Sequence, residues 1–188
     1  MVSLRAGYSW TNIVFKEAFE PSVNVFGRMF NTGKTFAGDG PEFGISKDIN
    51  SKFSMDVSFS SFSGRDTKAK VNSNKHYYTL KGFQAPVTIN YLLRDDTKRL
   101  RVNLCAGIQY LKARLRQYET ISNNTGEFSN QLTDINISEL YLVLRPGLQF
   151  KIVENLFVSF AVKTGISTNG RYTDSPCLFL KYSFGSKK

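Results

Sequence analysis

The sequence is poor in the residues on which most site chemistry rests. It has one histidine, His76, one tryptophan, Trp10, and two cysteines, Cys105 and Cys177, which are far apart and in no Cys-x-x-Cys pair. That excludes a disulfide framework and a Cys/His metal centre, so neither a metal nor any other cofactor is expected. No run approaches about 18 apolar residues, which excludes a transmembrane helix. The opening "MVSLRAGYSW" has neither a basic nor an apolar leader region. A signal peptide is therefore absent from this chain, and the expectation is that one has been removed. Acidic residues are also scarce, 15 Asp+Glu against 25 Lys+Arg, for a formal net charge of +10. Such a balance points to an acidic partner.

What the sequence does have is alternation with a period of two, and no convincing helical stripe. Eight strand-like segments alternate in this way: 2–12, 40–49, 52–62, 77–93, 99–117, 139–152, 156–165 and 176–185. The fourth slips phase near Lys81–Gly82, where the pattern predicts a bulge. Short turns, "DINS", "RDDTK" and "VEN", alternate with longer polar connections at 13–36, 63–75, 117–136 and 166–174. In "RLRVNLCAGIQYLKARLRQ", Leu100, Val102, Leu104, Ala106, Ile108 and Tyr110 share one face, which then continues as Lys112, Arg114 and Arg116.

Alternation alone fits a soluble sandwich or barrel with its apolar face inward. It equally fits a membrane barrel with that face on lipid. Four features favour the membrane. The polar face mixes long charged residues with small ones, among them Gly7, Gly44, Gly107, Gly147 and Gly165, which suits a narrow interior and would weaken a solvated sheet. With periplasmic termini, Phe53, Tyr91, Phe150, Tyr182 and Phe184 form an inner aromatic girdle, and Tyr8, Trp10, Phe59, Tyr78 and Tyr110 an outer one. Leu100 to Tyr110 rises roughly 25 Å at the usual strand tilt, the height of an apolar membrane band. Short and long connections alternate as periplasmic turns and extracellular loops do.

The stretches "VSLRAGYSW", "FQAPVTINYLL", "RLRVNLCAGIQY", "LRPGLQFKI" with "LFVSFAVKTG", and the closing "LFLKYSF" resemble the small eight-stranded outer-membrane β-barrel, porin-like family. The resemblance covers nearly the whole chain. It implies an all-β, eight-stranded antiparallel up-and-down transmembrane β-barrel as one domain over 1–185, with a short basic tail at 186–188. Many members end on an aromatic residue, whereas Phe184 is followed here by four more residues.

A barrel of eight strands is filled by its own side chains. Arg5, Glu42, Asp56, Arg101, Glu139, Arg145, Lys163 and Lys181 are therefore expected to form an ion network that plugs the lumen, since burying them unpaired would be costly. Cys105 and Cys177 are expected inside as small thiols, on strands too far apart for a disulfide. Lys112, Arg114 and Arg116 lie just above the apolar band and are expected to meet the phosphates of lipopolysaccharide. Residues 13–36 carry Val14, Phe15, Phe19, Val23, Val25, Phe26, Met29 and Phe30. That is enough apolar surface for a lid or for contact with another outer-membrane or secretion-system protein.

No catalytic residue is expected. His76, with Ser73 and Asp66 near it, is the one combination available to a lipid A-modifying enzyme, and no constrained nucleophile motif accompanies it. The reading is a non-enzymatic outer-membrane component, structural, adhesive or complex-forming, that contacts membrane lipid and no nucleic acid. A narrow passive pore and a soluble lipocalin-like carrier are the alternatives.

Overall fold

The computed structural model describes residues 1–15, 35–71, 74–93, 99–123 and 126–184. Eight strands follow in chain order: β1 (Val2–Val14), β2 (Thr35–Asp48), β3 (Phe53–Val71), β4 (Asn74–Leu92), β5 (Leu100–Asn123), β6 (Gly126–Val153), β7 (Leu156–Ser167) and β8 (Tyr172–Phe184). Each pairs antiparallel with the next, and β8 returns to β1 to close the barrel. The fold is the up-and-down barrel that the resemblance implies. Closure leaves no free edge around the ring.

The strands are unequal. β3 to β6 run 19, 19, 24 and 28 residues, against 12 to 14 for the other four. Pairing of β2 with β3 stops at Asp39↔Ser63, and that of β6 with β7 at Tyr141↔Ser167. Beyond those points β3–β6 continue as a four-stranded wall. Much of 63–75 and 117–136, expected as loops, is thus hairpin. Polar residues do not end a strand if alternation persists, and it does so in Lys112-Ala113-Arg114-Leu115-Arg116. The β7–β8 connection is also shorter than expected, residues 168–171, with Gly170 at φ 74° in the tight turn.

The expected bulge at Lys81–Gly82 is not there. β4 pairs with β5 without interruption from Lys75↔Thr120 to Leu92↔Asn103. Its even residues Tyr78, Leu80, Gln84, Thr88 and Asn90 are all buried. What looks like a slip of phase is a change in the chemistry of both faces at constant phase. The irregularities lie elsewhere, at Thr67/Ala69, at Gln117/Tyr118 and at Lys151/Val153.

The same change occurs on other strands at one level. Near the termini the outward face is apolar, with Leu4, Ile45, Val57, Ile89, Leu144 and Leu180 exposed, and the inward face is polar. At the far end the outward face becomes polar, at Asn12, Asp39, Ser61, Lys81, Lys112 and Ser138. At that level the inward face turns apolar, from Thr11 to Ile13, from Ser60 to Phe62 and from Gln109 to Leu111. Ile13, Phe15, Phe36, Phe62, Tyr78, Leu80, Leu111, Ala113, Leu115, Ile137, Tyr141 and Val143 pack there as one hydrophobic cluster.

This placement corrects one girdle assignment. Tyr78 points inward and is 2% exposed. Its ring meets Phe36 edge-on at 5.0 Å, and its hydroxyl accepts a hydrogen bond from the Ala37 amide at 3.0 Å. Phe83, one of the outward residues of β4, takes its place. It stacks on Phe59 at 5.6 Å and leans on Tyr110 at 6.0 Å. Tyr8 and Trp10 meet at 5.2 Å in the same ring. Toward the termini, Phe53 pairs with Tyr91 and Tyr182 with Phe184, both at 5.0 Å, and Phe150 is exposed beside them.

Candidate functional site: a sealed lumen and a basic wall

Alternation aims one residue of each pair into the lumen, and antiparallel pairing brings charges from different strands to one level. Asp56 Oδ2 accepts from Arg145 Nη2 at 2.5 Å and from Arg5 Nη1 at 3.1 Å. Glu42 faces Arg5 Nη2 at 3.7 Å and Lys163 Nζ at 3.6 Å, and it accepts from Ser58 Oγ at 2.9 Å. Arg5, Glu42, Asp56, Arg145 and Lys163 are all buried. Lys181 sits opposite Arg5 on β8 and lines the same small void as Arg5, Asp56 and Arg145. Gly44, paired with Arg5, makes room for its guanidinium. A Cβ there would lie 2.5 Å from Arg5 Nε.

Two residues expected in this network stand apart from it. Arg101 lies at the mouth near the termini, its guanidinium 4.4 Å over the Phe157 ring, in a crevice shared with Asp48 and Lys181. Glu139 lies at the other end. There it pairs with Arg171, accepts from Asn169 Nδ2 at 2.8 Å and accepts from the Tyr141 hydroxyl at 3.2 Å. Arg171 also stacks over Phe15 at 5.0 Å, so this cluster covers the rim of the apolar core. The reason is height. Glu139 is inward-facing, but it lies three residue pairs above Arg145 on β6, beyond Tyr141 and Val143. Asn169 and Arg171 were not singled out in the sequence, because the turn that aims them is set by tertiary pairing.

The two thiols are free and buried. Cys105 Sγ lies 3.1 Å from Arg145 Nη2 and donates to Asn90 Oδ1 at 3.2 Å. Cys177 Sγ donates to the Ser175 carbonyl at 3.0 Å. Of the residues weighed for catalysis, Ser73 and the side chains of Asp66 and His76 lie outside the described residues. So do most of 13–36 and the tail 186–188. Within 13–36, Ile13, Phe15 and Phe36 are buried in the apolar core.

On the outer face of the wall, Lys112 and Arg114 are exposed and Arg116 is partly so. Register sets Lys81 opposite Arg114, and Arg116 opposite Asp134. Asp134 was missed by sequence reasoning because its segment read as a loop. It takes a two-pronged bond from Arg114, Nε–Oδ1 2.7 Å and Nη2–Oδ2 2.5 Å, with Arg116 Nε at 3.4 Å. The Arg114 hydrogen bond, followed by the charges of Arg114 and Arg116, holds the Asp134 carboxyl below its ordinary range. One carboxylate thus answers two of the cations, and the face remains basic. Higher up, Tyr77 stacks on Tyr118 at 5.0 Å, and Arg65 lies 4.9 Å over Tyr77.

A closed eight-strand ring with an apolar outer belt, two aromatic rings and a polar, charge-filled lumen has the fold of the small outer-membrane β-barrels. No family model and no curated protein matches the chain. Solved structures do match it. OprG, an outer-membrane protein of Pseudomonas aeruginosa, aligns with TM-score 0.58 at 11% identity over 98% of this chain and 96% of its own. Ail, the attachment invasion locus protein of Yersinia pestis, in complex with the heparin analogue sucrose octasulfate, aligns with TM-score 0.55 at 12% identity over 97% of each chain. Neisserial surface protein A aligns with TM-score 0.53 at 10% identity, again over 97% of each.

Proposed function

We propose that the chain is an integral, non-enzymatic protein of a bacterial outer membrane. Its β3–β6 wall stands outside the bilayer as an adhesive contact surface for phosphate-rich glycolipid, lipopolysaccharide above all. One observation carries this reading: both faces of the barrel change character at the same level. An apolar outer face needs hydrocarbon, and a polar one over an apolar core needs water. The ring from Trp10 through Phe59 and Phe83 to Tyr110 then marks the membrane surface. Lys81, Lys112, Arg114 and Arg116 sit immediately above it, at headgroup height, where cations pair with phosphate.

The apolar core speaks against solute passage, because it caps the polar lumen at its outer end. The exposed belt speaks against a soluble carrier. The test is charge reversal. Arg114→Glu with Arg116→Glu is expected to weaken lipopolysaccharide association while heat-modifiable folding in neutral detergent persists. Undiminished lipopolysaccharide binding overturns the contact. A monodisperse species in detergent-free buffer overturns the membrane reading itself.

A further inference from the structure

The charges inside the barrel do not balance. Among the described residues, four cations, Arg5, Arg145, Lys163 and Lys181, share the lumen with two carboxylates, Glu42 and Asp56, at mid-barrel. Glu42 is shared by Lys163 Nζ and Arg5 Nη2, and Asp56 takes both guanidinium groups on Oδ2 while its Oδ1 makes no hydrogen bond. That leaves Arg5 Nε, Arg5 Nη2 and Arg145 Nη1 with no hydrogen bond, although Arg145 is only 3% exposed. Beside them is a void of about 20 Å³, lined by Arg5, Arg145, Lys181, Asn103, Gln149 and Ser159 together with Asp56. Ser159 Oγ is likewise without a hydrogen bond.

We infer that this void is a binding site for one small monovalent anion, of the size of chloride or bromide. A space of that size takes a single water-sized particle, which excludes sulfate and phosphate. A water would satisfy donors but leave two positive charges uncompensated in a low-dielectric interior, which is costly. A halide satisfies the donors and neutralises half of the excess. The void adjoins the terminal mouth. The void shares Gln149 and Lys181 with a crevice of about 50 Å³ at the terminal mouth, where Asp48 and Arg101 also lie. The opposite end is covered by Leu111, Leu115, Ile137 and their neighbours. Among the described residues the site is closed toward the apolar core.

The experiment is thermal unfolding of the full-length barrel in uncharged detergent at pH 7 and constant ionic strength, with chloride or bromide exchanged for gluconate, which is too large for the void. The expected result is a saturable halide effect, with the midpoint rising roughly 3–6 °C per tenfold halide above the dissociation constant. A bromide anomalous peak is expected between Arg5, Arg145 and Lys181 in crystals. Lys181→Gln should abolish the halide dependence, while Arg101→Gln, which lines only the crevice, should keep it. Equal midpoints in halide and gluconate overturn the inference. So does a midpoint that rises with pH identically in both salts, because the excess charge is then relieved by a lysine losing its proton.

Discussion

The two halves of this barrel are built from the same alternation and obey opposite rules. Below Tyr110, β5 presents Leu104 and Ile108 outward and buries Asn103, Cys105 and Gln109. Above it, the same strand presents Lys112 and Arg114 outward and buries Leu111, Ala113 and Leu115. The parity of the strand never changes. The lower half is held together by hydrogen-bonded ions inside, the upper half by apolar packing inside. In the proposed bilayer the interior of each half follows from what surrounds it, and one strand serves two solvents in succession.

Four outcomes sharpen or break this contrast. The largest effect is expected at Asp56→Asn, which leaves two buried guanidinium groups without their shared negative charge. The loss is about 3–5 kcal/mol in urea unfolding from lipid vesicles. Leu115→Ala removes packing from the upper core and is expected to cost about 2–5 kcal/mol. Hydrogen exchange should rise in the wall, between residues 111 and 137, while the belt stays protected. Uniform exchange across both halves would show that they do not open separately. The same outward substitution should then differ by position: Leu144→Lys, on the belt, costs about 2–4 kcal/mol in bilayers, whereas Gln131→Lys, on the wall, stays within about 0.5 kcal/mol. Equal costs would break the two-solvent reading. The smallest effect is expected at Asp134→Asn. Freeing Arg114 and Arg116 should tighten binding of a polyanion such as dextran sulfate roughly two- to fivefold. Because the Asp134 carboxyl titrates below its ordinary range, its pairing persists as pH falls from 7 to 5. It is lost only as pH drops through that lowered value. The wild-type affinity should therefore stay flat over that interval and approach the variant's only in stronger acid.

Much of the fold was legible because period two is a local signal. The phase of β5, the eight segments and the apolar face could all be read from neighbours in sequence. The charged residues that face the lumen could be named from parity, but not their heights. Height depends on register, and register separated Glu139 and Arg101 from Arg5, Glu42 and Asp56. Tyr78 and the hairpins at 63–75 and 117–136 were misread for one reason. The sequence was taken to have one greasy face throughout, so Tyr78 and Leu80 looked like a slip and the polar stretches 63–75 and 117–136 looked like loops. Asp134 could not be connected to Arg116 until its segment was known to pair.

The coincidence of the two switches also fixes a draught line. In the proposed bilayer, sinking the barrel by one residue pair would carry Lys81 and Lys112 into hydrocarbon. Raising it by the same step would lift Tyr8, Phe59 and Tyr110 into water. Belt and wall meet with no neutral rung between them, so the protein has little freedom to ride higher or lower when the membrane thins or thickens. The lipid beside β4 and β5 must adjust to the barrel.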